Sequence, residues 1–243
     1  MNVGTQRAKR SPSRTRARGK RVVAPRPAFD LDAITPMEAK SVSQLPVDAG
    51  WQFEPKWDGF RCLAWKSEDA ADLRGKSGKS LARYFPEVLE SLSELVPECF
   101  CIDAELVIPI RGELSFDALQ MRLHPAQSRI RRLSQSTPAL LIVFDCLWGA
   151  DGTVLLDEPL DRRREALEHL FDEIRSAGLL RLSPYTRERR EAQRWLERSG
   201  GALDGVIAKR IEEPYRPGER AMLKIKQHHT VDCVVGGFRY AAN

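Results

Sequence analysis

Residues 54–66 read EPKWDGFRCLAWK and set Lys56 two residues ahead of an Asp-Gly pair, with Glu54 two residues upstream on the same face of a strand. Other residues able to do chemistry recur along the chain. Glu105 lies in CFCIDAELVIP, Phe144 stands beside Asp145 in ALLIVFDCLW, Asp204 opens DGVIAKR, and Lys224 and Lys226 sit in AMLKIKQ. Strand alternation puts Lys224 and Lys226 on one face and Leu223 and Ile225 on the other. Two neighbouring cations repel unless an anion lies across from them or both tips reach water. Taken singly, an acid at a strand end is usually solvated and a phenylalanine in an apolar run is usually core. Taken as an ordered set with Lys56, they describe a polyphosphate pocket, with cations for phosphates, acids for a divalent metal and an aromatic for a base. Nearby cations also depress the pKa of one lysine and free an amine to act as a nucleophile.

The elements that must carry these residues are legible as patterns. WQFEPK alternates as a half-buried strand, and Asp58-Gly59 predicts a tight turn into FRCLAWK, hence a hairpin. AITPMEAKSVSQLP reads as an extended lead-in. RYFPEVLESLSELV has helical apolar spacing with Pro86 in its first turn, and SFDALQMRL is a short helix with Ser115 as N-cap. ALLIVFDCLW has the continuous apolar character of a fully buried strand, and LDRRREALEHLFDEI and RERREAQRWLERSGG are amphipathic helices. DGVIAKR, AMLKIKQ and VDCVVGGFRY are short strands. Hairpin-like neighbours outnumber strand-helix-strand units, so the expected class is α+β with mainly antiparallel sheets flanked by helices.

The chain has 243 residues and a net charge of +5, but residues 1–26 hold nine Lys or Arg and no Asp or Glu, leaving 30 basic against 34 acidic residues elsewhere. A segment so rich in Ser, Pro, Gly and Arg cannot bury enough apolar surface to offset its ordering entropy, which predicts a disordered basic tail over 1–26. It reads equally as a sequence-blind phosphate-binding arm or a solubilising extension. The five cysteines form no CxxC pair, and the four histidines fall at no ligand spacing from them, so buried, reduced thiols are expected rather than a zinc site. With no membrane-spanning apolar run and no secretory leader, the expected location is cytoplasmic.

EPKWDGFR, DAELVI, IVFDCLW, DGVIAKR and MLKIK, in this order, resemble the nucleotidyltransferase motifs of ATP-dependent DNA ligases, and PMEAKSV is similar to the lead-in of the small bacterial members. The likeness covers residues 30–243. It implies an ATP-grasp-like adenylation domain over 27–230, with 231–243 as the first strand of an otherwise absent oligonucleotide-binding (OB) fold, lost or supplied in trans. It further implies that Lys56 attacks the α-phosphate of ATP and holds AMP as a phosphoramidate. Glu54 would sit near the adenine, and Arg61 would reach the ribose or phosphate. Glu105 would serve ribose and metal, Phe144 would stack on the base, and Asp204 would bind Mg2+, with Mn2+ as the alternative. Lys224 and Lys226 would hold the α-phosphate. In RGKSGKSLARYFPEV, Lys76 stands where the family usually carries arginine. The partners implied are nicked or broken duplex DNA within the nucleoid and, for some relatives, end-binding repair proteins. Poor nick sealing by this chain alone is the corresponding expectation. An RNA ligase, a GTP-using capping enzyme and a non-catalytic remnant that binds nucleotide or DNA are the competing readings.

Overall fold

The computed structural model describes residues 1, 34–68, 70–174, 178–200 and 203–227. The readings made for the basic tail and for the 231–243 strand lie outside the described residues.

Two sheets carry the domain. The first is four-stranded, in the order β1 (Ala39–Val42), β11 (Met222–Ile225), β10 (Leu203–Arg210), β2 (Trp51–Trp57); β1 and β11 are parallel and the other pairs antiparallel. The second is five-stranded, in the order β4 (Ala70–Gly75), β3 (Phe60–Ser67), β5 (Cys99–Val107), β8 (Leu140–Trp148), β9 (Leu180–Leu182), antiparallel except for the β8–β9 pair. A two-stranded ribbon, β6 (Pro109–Ile110) with β7 (Glu113–Leu114), extends β5. The helices are α1 (Pro86–Ser93), α2 (Phe116–Arg122), α3 (Gln127–Ser136), α4 (Leu160–Glu173) and α5 (Arg189–Glu197). Pro86 begins α1, and the Ser115 side chain accepts from the Ala118 N–H to cap α2, as free backbone donors at a helix start require. Among the described residues no helix is long and apolar enough to cross a membrane.

Alternation along the strands sorts the side chains into three cores. Cys62, Ala64, Phe100, Ile102 and Leu106 turn to one face of the five-stranded sheet and pack with Val88, Leu119 and Leu167 of the helices. Val206, Ala208, Phe53 and Ile225 turn to one face of the four-stranded sheet and pack with Ala192 of α5. A smaller cluster joins the two sheets, with Leu63, Cys101 and Leu147 from one and Met222 from the other, closed by Met37 and Tyr215. Cys62, Cys99, Cys101 and Cys146 are buried.

The hairpin expected at Asp58-Gly59 does not form. β2 belongs to the four-stranded sheet and β3 to the five-stranded one, so these two residues carry the chain between sheets. The glycine is needed for clearance: a Cβ at residue 59 would lie 2.1 Å from the Leu106 carbonyl oxygen, with Glu105 and Val107 side chains at 3.0 Å. Backbone on that side cannot yield cheaply, so Gly59→Ala is expected to cost about 3 kcal/mol. Chemical denaturation would check this, and a loss below about 1 kcal/mol would show that the crossing can relax.

Candidate active site

A cavity of about 430 Å³ opens between the sheets, within the range that holds small-molecule ligands. Its lining includes Glu54, Lys56, Arg61, Lys76, Glu105, Phe144 and Lys224, seven residues singled out from sequence. The other two, Asp204 and Lys226, join the site through Lys56. Asp204 Oδ2 lies 2.5 Å from Lys56 Nζ and 2.7 Å from Lys226 Nζ. Asp204 is thus an anion facing Lys226, one of the two lysines of MLKIK. Burial tends to raise the Asp204 carboxyl pKa, but hydrogen bonds from Lys226 and Lys56 outweigh it and hold the group below the usual carboxylate range.

Two irregularities in the strands aim these groups. In an even strand Asp204 would share a face with Val206 and Ala208, which are buried against α5. The pairing of β10 with β2 shifts between Leu203 and Val206, and Gly205 takes φ +136° there, so Asp204 turns to Lys56. A Cβ on Gly205 would lie 2.1 Å from the Ile225 carbonyl oxygen, which reserves that bulge for glycine. In β8 the partners of Asp103 and Ala104 are Asp145 and Val143, leaving Phe144 as the extra residue of a bulge. That bulge turns Phe144 to the cavity.

Arg61 is committed more tightly than the sequence implied. Its Nε and Nη2 donate to the two oxygens of Asp103 at 2.5 and 2.6 Å, and its guanidinium lies 4.6 Å from the Phe144 ring centre. Tyr215 also donates to Asp103 at 2.5 Å while accepting from the Met37 N–H. Lys76 stands at the mouth, 65% exposed, paired with Glu38 at 2.8 Å; Arg220 reaches the same carboxylate at 3.6 Å. Sequence reasoning missed Asp103, Tyr215, Gln52 and Lys209. Lys209 was visible as an alternate residue of DGVIAKR, two beyond Ile207, but only the strand order shows that its face is the cavity side.

Glu105 is set apart electrostatically. Burial, only partly offset by Arg61 and Lys56, pushes its carboxyl from an ordinary 4.5 up to about 7. The folded protein therefore retains a proton that the unfolded chain has released, and stability should fall as pH rises from about 4.5 to about 7 and level off above. The loss is roughly 3 kcal/mol at most. Melting temperature against pH would show this slope, and Glu105→Gln should flatten it; an unchanged slope in the variant would assign it to another group.

A sequence profile described as ATP dependent DNA ligase domain matches residues 36–226, which span every group just placed. The chain belongs to the ATP-dependent DNA ligase family. It is 45% identical over 213 residues to DNA ligase C1 of Mycolicibacterium smegmatis, covering 85% of this chain and 60% of that protein. It is 41% identical over 215 residues to DNA ligase C of Mycobacterium tuberculosis, covering 86% and 58%. The chain thus spans about 60% of the length of these ligases. Among solved structures, a mycobacterial DNA ligase D complexed with ATP and MES superposes with a TM-score of 0.65 at 26% identity, covering 82% of this chain and 62% of that one. The α+β class with antiparallel-rich sheets is thereby the ligase nucleotidyltransferase architecture.

Proposed function

We propose that the cavity binds ATP and that Lys56 becomes adenylylated, the first step of joining DNA ends. The observation that supports this most is the convergence at one cavity of a lysine amine, further cations, an aromatic ring and three acids, Glu54 and Glu105 in its lining and Asp204 on Lys56, drawn from six strands. The base lies against Phe144, with Glu54 at its edge. Lys224 and Lys226 face the phosphates and neutralise charge as it grows on the α-phosphoryl group, the positioning-and-electrostatics mode of phosphoryl transfer. Asp204 orients the Lys56 amine. The Lys56 ammonium first releases one proton to solvent; the amine nitrogen then forms a bond to the α-phosphorus, the bond to the bridging oxygen breaks, pyrophosphate departs, and the second proton also leaves to solvent.

Mg2+ fits the donor set. Among the described residues no three His, Cys, Asp or Glu side chains converge as a cage, and Mg2+ binds through one or two carboxylates plus substrate phosphates. Glu105 and Asp204 would hold it, and it would supply charge neutralisation on the triphosphate. The acceptor of the AMP is the 5′-phosphate of a nicked or broken duplex, followed by strand sealing. Intact mass after incubation with Mg2+ and ATP, beside GTP, tests the first step: a gain of one AMP with ATP only is expected, and no gain in the folded protein would overturn the reading.

A further inference from the structure

The base end of the cavity rests on a buried chain of four charged groups with alternating sign: Glu54, Lys209, Asp145 and Arg163. Lys209 Nζ lies 2.8 Å from Glu54 Oε2 and 3.4 Å from the Phe144 carbonyl oxygen, within hydrogen-bond reach of both, and pairs electrostatically with Asp145 Oδ2 at 3.6 Å. The same ammonium group stands 4.8 Å from the Phe144 ring centre. Arg163 grips Asp145 through Nε at 2.7 Å and Nη2 at 3.2 Å. The second Glu54 oxygen, Oε1, accepts from Gln52 Nε2 at 2.8 Å. In the strand register Gln52 is directly opposite Lys209 and Glu54 is opposite Ile207, so the carboxylate is held from its own strand and from the next.

Gln52 shows what this arrangement gives up. A carboxylate only accepts, so the amide nitrogen must face Glu54, and the Gln52 Oε1 atom, on a side chain of 0% exposure, has no hydrogen-bond partner among the described residues. An orphaned buried acceptor subtracts from stability, and a buried ion chain adds little over apolar residues of equal size. What the pair of donors does achieve is to fix Glu54, leaving toward the cavity a group that can accept and cannot donate.

We propose that Gln52 and Lys209 set base selection, by holding Glu54 as a fixed acceptor for the 6-amino group of a purine stacked on Phe144. Adenine carries a donor at that position. Guanine and hypoxanthine carry a keto oxygen, which would meet the carboxylate acceptor to acceptor. The proposal rests on the nucleotide site described above and names the residues that make it selective. Both are positioning residues acting through Glu54.

The test is the kinetics of AMP or IMP attachment with ATP and with ITP, which differs at the 6-position and lacks the 2-amino group of GTP, together with the melting temperature. The wild type is expected to prefer ATP by about a hundredfold or more, as sites built around a hydrogen bond do. Gln52→Met keeps the length and removes the orphaned oxygen. It should cut the preference about tenfold, chiefly through KM for ATP, with the melting temperature unchanged or raised. Lys209→Met should cut the preference at least as far, with a lower melting temperature; should it fail to fold, Gln52→Met decides alone. A purely structural role would lower the melting temperature and slow both nucleotides alike, and a wild-type preference retained in Gln52→Met would overturn the proposal. Wild-type adduct formation with ATP separates that failure from failure of the nucleotide-transfer reading, since no adduct with either nucleotide would overturn both.

Discussion

Replacing Lys56 by arginine is expected to slow AMP attachment by about 10⁴-fold or more, the scale on which loss of a nucleophile is felt, while the melting temperature stays within about 2 °C of the wild type. Arginine keeps the positive charge that pairs with Asp204 Oδ2, 2.5 Å from the native amine. What it cannot do is lose a proton, because a guanidinium stays charged at any working pH. Lys56→Arg therefore separates the two roles of this side chain, countercharge and nucleophile, where alanine would remove both and leave Asp204 with Lys226 alone. Intact mass with ATP and Mg2+ reads the adduct directly. An adduct on the arginine variant at near wild-type rate would place the nucleophile elsewhere among the cavity lysines.

The largest stability effect should come from breaking the buried charge chain at its far end. Arg163 is 1% exposed; besides its two contacts to Asp145, it donates to the backbone oxygens of Glu158 at 2.7 Å and Glu213 at 3.1 Å. Burial opposes charge on Asp145, but Arg163 and Lys209 outweigh it and hold its carboxyl low. Arg163→Met leaves that carboxylate with Lys209 alone among its charged partners, at 3.6 Å, and removes the side-chain donor from two carbonyls, of which Glu213 keeps the Leu160 N–H. A buried charge left short of its partner costs roughly 3–5 kcal/mol, which in a domain of this size lowers the melting temperature by roughly 6–20 °C. The double variant Arg163→Met with Asp145→Leu removes the stranded charge and should recover at least half of the loss. A melting temperature within 2 °C of wild type for the single variant would show that the chain is solvated rather than buried.

Much of this protein was determined by the sequence itself. Seven of the nine candidate site residues line one cavity and the other two join them at Lys56, and part of that was legible because strand alternation is a local rule: Lys224 and Lys226 share a face for the reason that Leu223 and Ile225 share the other, and no neighbour is needed to see it. Helix starts were legible in the same way, since Ser115 and Pro86 act on their own first turns. Elements with weak or short patterns were not legible. β4, β9 and α3 gave no distinct signal; β9 holds three residues and is defined by pairing with β8 rather than by its own composition.

Tertiary structure decided where local rules were broken or left open. Asp58-Gly59 reads as a turn because glycine permits tight geometry, yet here the missing Cβ makes room for the Leu106 carbonyl while the chain changes sheets. Asp204 reaches Lys56, and Phe144 the cavity, through β-bulges, and a bulge is a mismatch between two strands that neither strand records alone. The buried chain from Glu54 to Arg163 draws on β2, β10, β8 and α4. Alternation could say that Lys209 was not facing α5; only the order of strands put it beneath Phe144 and against Glu54, because ion pairs across a sheet are fixed by register and not by spacing along the chain.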